Sequence, residues 1–123
     1  VVSDMLTYMA AHGVTDDFTF AYPDVAGFRA GTCLPYRWLD TDLVIHPTTI
    51  MDVTLINEKY MALDRNDALN YCRSMIGLIC HFGGEVTLLW HNNSFRRDSI
   101  YSYYYQTKVY EGLLKFLKLQ LIL

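Results

Sequence analysis

Acid–base chemistry needs groups that give and take protons, and His91 is the first residue in this chain whose setting suits that work. It ends the run VTLLWHNNSF (residues 86–95), where five residues of strand character lead into a histidine, two asparagines and a serine. Histidine alone among side chains has an ordinary titration near neutral pH. A buried strand ending in a polar cluster is where a β/α enzyme usually keeps its chemistry. Two further residues stand out by their settings. Asp52 lies between Met51 and Val53, and Arg29 lies in Phe-Arg-Ala-Gly, a less polar setting than most arginines have. Taken singly, each has an ordinary reading: a lone histidine at a strand end is more often structural, a lone aspartate more often caps a turn, and an arginine is usually a surface charge.

The elements that would position these residues can be read in order. Ser3 is placed to cap a helix running to about His12, with Met5, Leu6, Met9 and Ala10 as its apolar stripe and Gly13 as its stop. Asp16-Asp17 make a turn and strand start leading into the aromatic strand FTFAY (18–22). Pro23, Asp24 and Gly27 form a loop, and an irregular stretch rich in bulky side chains follows through Trp38. A short strand over 43–46 ends at Pro47, and residues 49–55 read as a second extended or loop-edge segment, with Asn57 capping a turn. The clearest helix spans 65–82, with Asp64 as its cap and Gly83-Gly84 as its end. Residues 86–90 are apolar throughout and predict a strand covered on both faces. A last helix runs over 104–119, with Val109, Leu113, Phe116 and Leu117 inward and Lys108, Lys115 and Lys118 outward. Strands alternating with helices imply an α/β fold with a parallel sheet or part of a β/α barrel. No internal repeat or linker divides residues 1–123, which read as a single domain.

Composition narrows the functions further. With 123 residues, 52% hydrophobic and 19% charged, the chain can bury a core and is not of disordered type. A net charge of −3 without a basic stripe disfavours nucleic acid as a partner. No apolar run is long enough for a membrane span, and residues 1–13 lack the pattern of a signal peptide. Cys33, Cys72 and Cys80 are odd in number and lack C-x-x-C spacing, which argues against a disulfide framework and a zinc ribbon. A reducing, cytoplasmic setting is therefore expected. The chain begins without Met and inside a helical pattern, which points to a piece of a longer protein.

Three segments in order, GFRAGTCLPYRW (27–38), PTTIMDVTL (47–55) and GGEVTLLWHNNSF (83–95), resemble the later motifs of the polysaccharide deacetylases, the NodB-homology enzymes of carbohydrate esterase family four. The resemblance is nearest to a bacterial branch with F-R-A-G-T, M-D-x-T-L and L-W-H-N, and the closing VYEGLLKFLK (109–118) also looks like the end of such a domain. It implies the C-terminal part of a distorted β/α barrel, α/β in class, from an enzyme that removes acetyl groups from an N-acetylated glycan. It also implies a divalent metal in the intact domain, zinc in most members, held by aspartate and histidine ligands of two earlier motifs. Those motifs do not occur here, so the missing N-terminal half of the domain is an expected partner and this chain alone is expected to be inactive and to supply no metal ligand.

By the same resemblance, His91 would be the acid that protonates the leaving amine. Asp52 would hold and tune His91 and fix its tautomer. Arg29 would pair with the catalytic aspartate of the missing first motif. Leu89 would line the pocket for the acetyl methyl, and Trp90 and Trp38 would stack against sugar or wall the cleft. Two departures leave the pocket's shape open: Gly31 stands where the arginine motif usually has proline, Pro35 coming later, and Val53-Thr54 follow Asp52 where a tryptophan is frequent.

Other candidates carry less. His46-Pro47 mimics the end of a metal motif, but Asp42, not histidine, stands four residues earlier. His12 and His81 lie near helix ends and read as structural or solvated. Asp16-Asp17 precede a strand, whereas the family's paired aspartates follow one. YSYYY (101–105) reads as helix-start packing or a sugar-contacting surface. A rival function is a non-catalytic β/α carbohydrate-binding or scaffold domain that has lost the metal.

Overall fold

The computed structural model describes residues 2–96 and 100–122, with side chains described for 3–96 and 106–120. The YSYYY side chains therefore lie outside the described residues. In chain order the elements are α1 (Val2–Ala11), β1 (Asp16–Asp17), β2 (Tyr36–Arg37), β3 (Val44–Ile45), β4 (Ile50–Met51), α2 (Asp52–Ile56), α3 (Arg65–His81), β5 (Leu88–Leu89) and α4 (Ile100–Ile122), with a 3-10 turn at Asn92–Phe95 before α4.

One extended run, residues 44–51, organises both sheets. Its first half is β3, which pairs in parallel with β1 on one side and antiparallel with β2 on the other. The ladder toward β1 continues past the strand, with the amides of His46 and Thr48 donating to the carbonyls of Asp17 (2.8 Å) and Phe20 (3.1 Å). Pro47, which has no N–H, interrupts the run. Its second half is β4, which pairs in parallel with β5, Ile50 opposite Leu88 and Met51 opposite Leu89. Parallel β4 and β5 finish on the same side, so the residues that follow them, Asp52 and Trp90-His91, emerge together.

Apolar burial fixes the helices against this frame. In α3, Ala68, Cys72, Ile76 and Ile79 are buried at helical spacing, and in α4 Val109 and Leu113 meet them, with Ile50 and Leu55 completing the cluster. Each of the buried valine, leucine and isoleucine side chains contributes about 1.5–3 kcal/mol by leaving water. The two helices approach closely at Gly112, where an added Cβ would come within 2.9 Å of the Leu69 side chain. A smaller cluster joins α1 to the first sheet through Leu6, Leu43 and Ile45, with Ala10, Phe20, Tyr36 and Trp38 packed around it.

Most element positions match the sequence pattern. Asp64 caps α3, its carboxylate accepting the Asp67 amide at 2.8 Å, and Gly83 ends it at φ +67°. Asn57 closes a turn by accepting the Lys59 amide. Ser3, however, lies inside α1 and not at its cap. The aromatic strand expected over 18–22 is not formed as a regular strand: the buried Asp17 carboxylate takes both the amide and the hydroxyl of Thr19, which interrupts the pairing there, although the Phe20 carbonyl still accepts the Thr48 amide. The segment 49–55 divides, its first part forming β4 and its second turning into α2 at Asp52. Residues 86–90 yield only two paired residues, and Leu89 is 43% exposed, so the strand is not covered on both faces. The described strands form two small sheets and do not close into a barrel.

Candidate functional site

Asp52 is the first residue of α2 and is fully buried. A carboxylate there is tolerable only if its lone pairs are met by donors, and four are supplied. Oδ1 accepts the amide of Val53 at 2.7 Å and the Nδ1 of His91 at 2.6 Å. Oδ2 accepts the amide of His91 at 2.8 Å and the hydroxyl of Ser94. Because an ionised carboxylate can only accept, the proton of this contact belongs to His91 Nδ1. That assignment leaves Nε2, across the ring, as the atom free for exchange with a ligand. The His91 side chain is 42% exposed, and no partner for Nε2 occurs among the described residues.

The histidine is thus gripped on its inner edge and open on its outer edge. Both halves of the pair come from the carboxyl ends of parallel strands: Asp52 directly follows β4, and His91 follows β5 by two residues. The family resemblance implied these two residues as partners, and the structure places His91 Nδ1 on the Asp52 carboxylate.

The other expected site residues lie differently. Arg29 is exposed and makes no contact with Asp52 or His91 among the described interactions; its guanidinium donates to the Ala21 carbonyl at 2.8 Å. It lines a cavity of about 310 Å³ with Trp38, Phe20, Thr19, Ser3 and Met5. Trp38 donates its indole N–H to the Thr7 hydroxyl at 3.4 Å. Leu89 is surface-exposed beside His91 and lines neither this cavity nor the apolar one of about 320 Å³ around Phe28, Cys33, Leu78 and Phe82. Trp90 packs on the main core and against Tyr110 (centroids 5.4 Å apart), and its buried indole N–H has no hydrogen-bond partner among the described residues. Its ring is half-buried in that packing.

His46 makes a second constellation. Its Nδ1 lies 2.7 Å from Glu85 and its Nε2 2.8 Å from Asp16, while Phe18 stacks on the ring at 4.4 Å. A neutral imidazole has one N–H, so only the imidazolium donates to both carboxylates. The hydrogen bond to Glu85, followed by that to Asp16, raises the His46 pKa, and the hydrogen bond from His46 holds Asp16 below its usual range. With both ring nitrogens engaged, His46 offers no lone pair to a metal. Among the described residues no group of three histidine, cysteine, aspartate or glutamate side chains is arranged to hold one. The cysteines are all free, and burial pushes the Cys72 thiol up to about 12, which removes it as a nucleophile. No described helix is long and apolar enough to cross a membrane.

Comparison with family models, curated proteins and solved structures found no match for this chain.

Ser94 is a site residue that no motif in the sequence marks. Its signal was a spacing: a serine three residues after His91 can return to the same side of a turn, and a buried aspartate needs more donors than one histidine supplies.

Proposed function

We propose that this chain is the C-terminal portion of a polysaccharide deacetylase domain and that the intact enzyme hydrolyses N-acetyl groups on a glycan or glycan precursor. The observation that carries this reading is the Asp52–His91 pair: a buried carboxylate fixes Nδ1 and leaves Nε2 exposed at the carboxyl ends of two parallel strands. A histidine so held can, once protonated at Nε2, pair as the imidazolium with Asp52, deliver the Nε2 proton to a departing amine and return to the neutral Nδ1–H form. The order of the Arg29, Asp52 and His91 segments along the chain supports the same reading. The described residues do not fit a metal, so on this reading water activation, and any zinc that serves it, falls to groups other than those described.

Replacing His91 by alanine in the full-length protein tests the proposal. Acetate release from N-acetylated oligosaccharides should fall by about 10²–10⁴-fold, the usual contribution of general acid catalysis. Unchanged turnover would remove His91 from the reaction. The second reading, a carbohydrate-binding domain without catalysis, draws on the cavity that brings Arg29 and Trp38 together. Saturable oligosaccharide binding that Trp38→Ala abolishes, without acetate release by the wild type, would favour it.

A further inference from the structure

We infer that Ser94 is a positioning residue for His91: its hydroxyl locks one oxygen of Asp52 and thereby holds the other on Nδ1. The inference rests on the deacetylase reading for its catalytic consequence but not for its geometry.

A buried aspartate keeps one soft motion, rotation of the carboxylate about its own bond. Two donors restrain each oxygen here. Oδ1 is held by the Val53 amide and His91 Nδ1, and Oδ2 by the His91 amide and the Ser94 hydroxyl. Three of these donors are either backbone groups or the histidine ring that must be positioned. Ser94 alone is an independent side chain, 5% exposed, brought from 42 residues away in the sequence. Its placement is local in origin. The 3-10 turn Asn92–Phe95 bonds the Ser94 amide to the His91 carbonyl at 3.1 Å, so the His91 amide and the Ser94 hydroxyl converge on one oxygen. Without that hydroxyl, Oδ2 retains a single amide partner. The carboxylate can then swing, and Nδ1 loses the fixed acceptor that selects its tautomer.

A serine that merely satisfied a buried charge would change stability and nothing else. Ring ¹⁵N shifts of His91, recorded on this chain with labelled histidine at a pH where the ring is neutral, separate the two roles. In the wild type the two nitrogens should resonate far apart, as a single Nδ1–H tautomer requires. In Ser94→Ala the separation should narrow as both tautomers become populated. Should Ser94→Ala fail to fold by circular dichroism, Ser94→Cys preserves the shape while donating only weakly, and it should show the same narrowing. Wild-type separation in a folded variant overturns the inference. In the full-length protein the same variant should lose about tenfold in kcat with KM unchanged, as misorientation of a reacting group does. An unchanged kcat overturns the catalytic part of the inference. If the shifts converge but the wild type releases no acetate, the positioning role stands and the deacetylase reading fails.

Discussion

Asp52 serves four donors while His91 serves one carboxylate, and this asymmetry sets what each contributes to the folded state. Removing Asp52 leaves the buried Ser94 hydroxyl and the amides of Val53 and His91 to find other partners. Asp52→Ala should therefore cost about 3 kcal/mol of unfolding free energy, read by denaturant titration. His91→Ala leaves Asp52 with three donors and removes a half-exposed ring, so it should cost about 1 kcal/mol. Equal costs would indicate that the histidine is retained for packing. His46 makes a different prediction. Its pKa is raised above the ordinary 6.5, so the stability it contributes is complete below that pH and is lost as pH rises through the higher folded-state value. The Asp16 pKa is lowered from 3.8, so its contribution is complete above that pH and is lost as pH falls through the lower folded-state value. The stability difference between wild type and His46→Gln should be largest between those limits and shrink toward pH 9; a difference that grows toward pH 9 would show that the ring is not charged. Asp52 and His91 were paired through the resemblance of their two segments to known motifs; taken singly, each had an ordinary structural reading. For Ser94 only the three-residue spacing from His91 was visible, because the carboxylate it serves is a tertiary contact 42 residues away in sequence.

At the level of elements, long apolar periodicity proved readable and short polar competition did not. The span of α3 follows from its buried stripe and its Asp64 cap. The segment after Asp16 failed as a predicted strand because Asp17 binds Thr19, an interaction that strand propensity does not weigh. The β2–β3 hairpin was hidden in the irregular stretch; it closes through the Trp38 amide on the Leu43 carbonyl and the Thr41 hydroxyl on Trp38. Gly84 was read only as a helix stop, yet it also lets the chain before β5 pass against Cys33. A Cβ there would meet the Cys33 sulfur and come within 2.7 Å of the Cys33 carbonyl, which accepts the Glu85 amide at 2.9 Å. Gly84→Ala should therefore destabilise by about 1–3 kcal/mol. Gly77→Ala, where a Cβ meets nothing within 4 Å, should be neutral or stabilising by comparison. Thermal unfolding of the two variants side by side tests this; equal midpoints would mean the Cys33 loop yields without cost.

For the whole molecule, alternating strands and helices led to the expectation of a parallel sheet; β1–β3 and β4–β5 pair in parallel, whereas β2–β3 is antiparallel. The alternation was not enough to give strand lengths or closure, since β5 leaves Leu89 exposed and the two sheets stay separate. Arg29 shows the same boundary. The sequence set it beside Asp52 and His91 as a third member of one site, whereas the structure holds it on Ala21 within a cavity shared with Trp38. The account therefore rests on the pair and not on a triad. Its most direct test is acetate release by full-length wild type and His91→Ala on N-acetylated oligosaccharides, with folding of both verified. The account predicts release by the wild type and a loss of about 10²–10⁴-fold in the variant. Equal rates in the two proteins, or no release by the wild type, would contradict it.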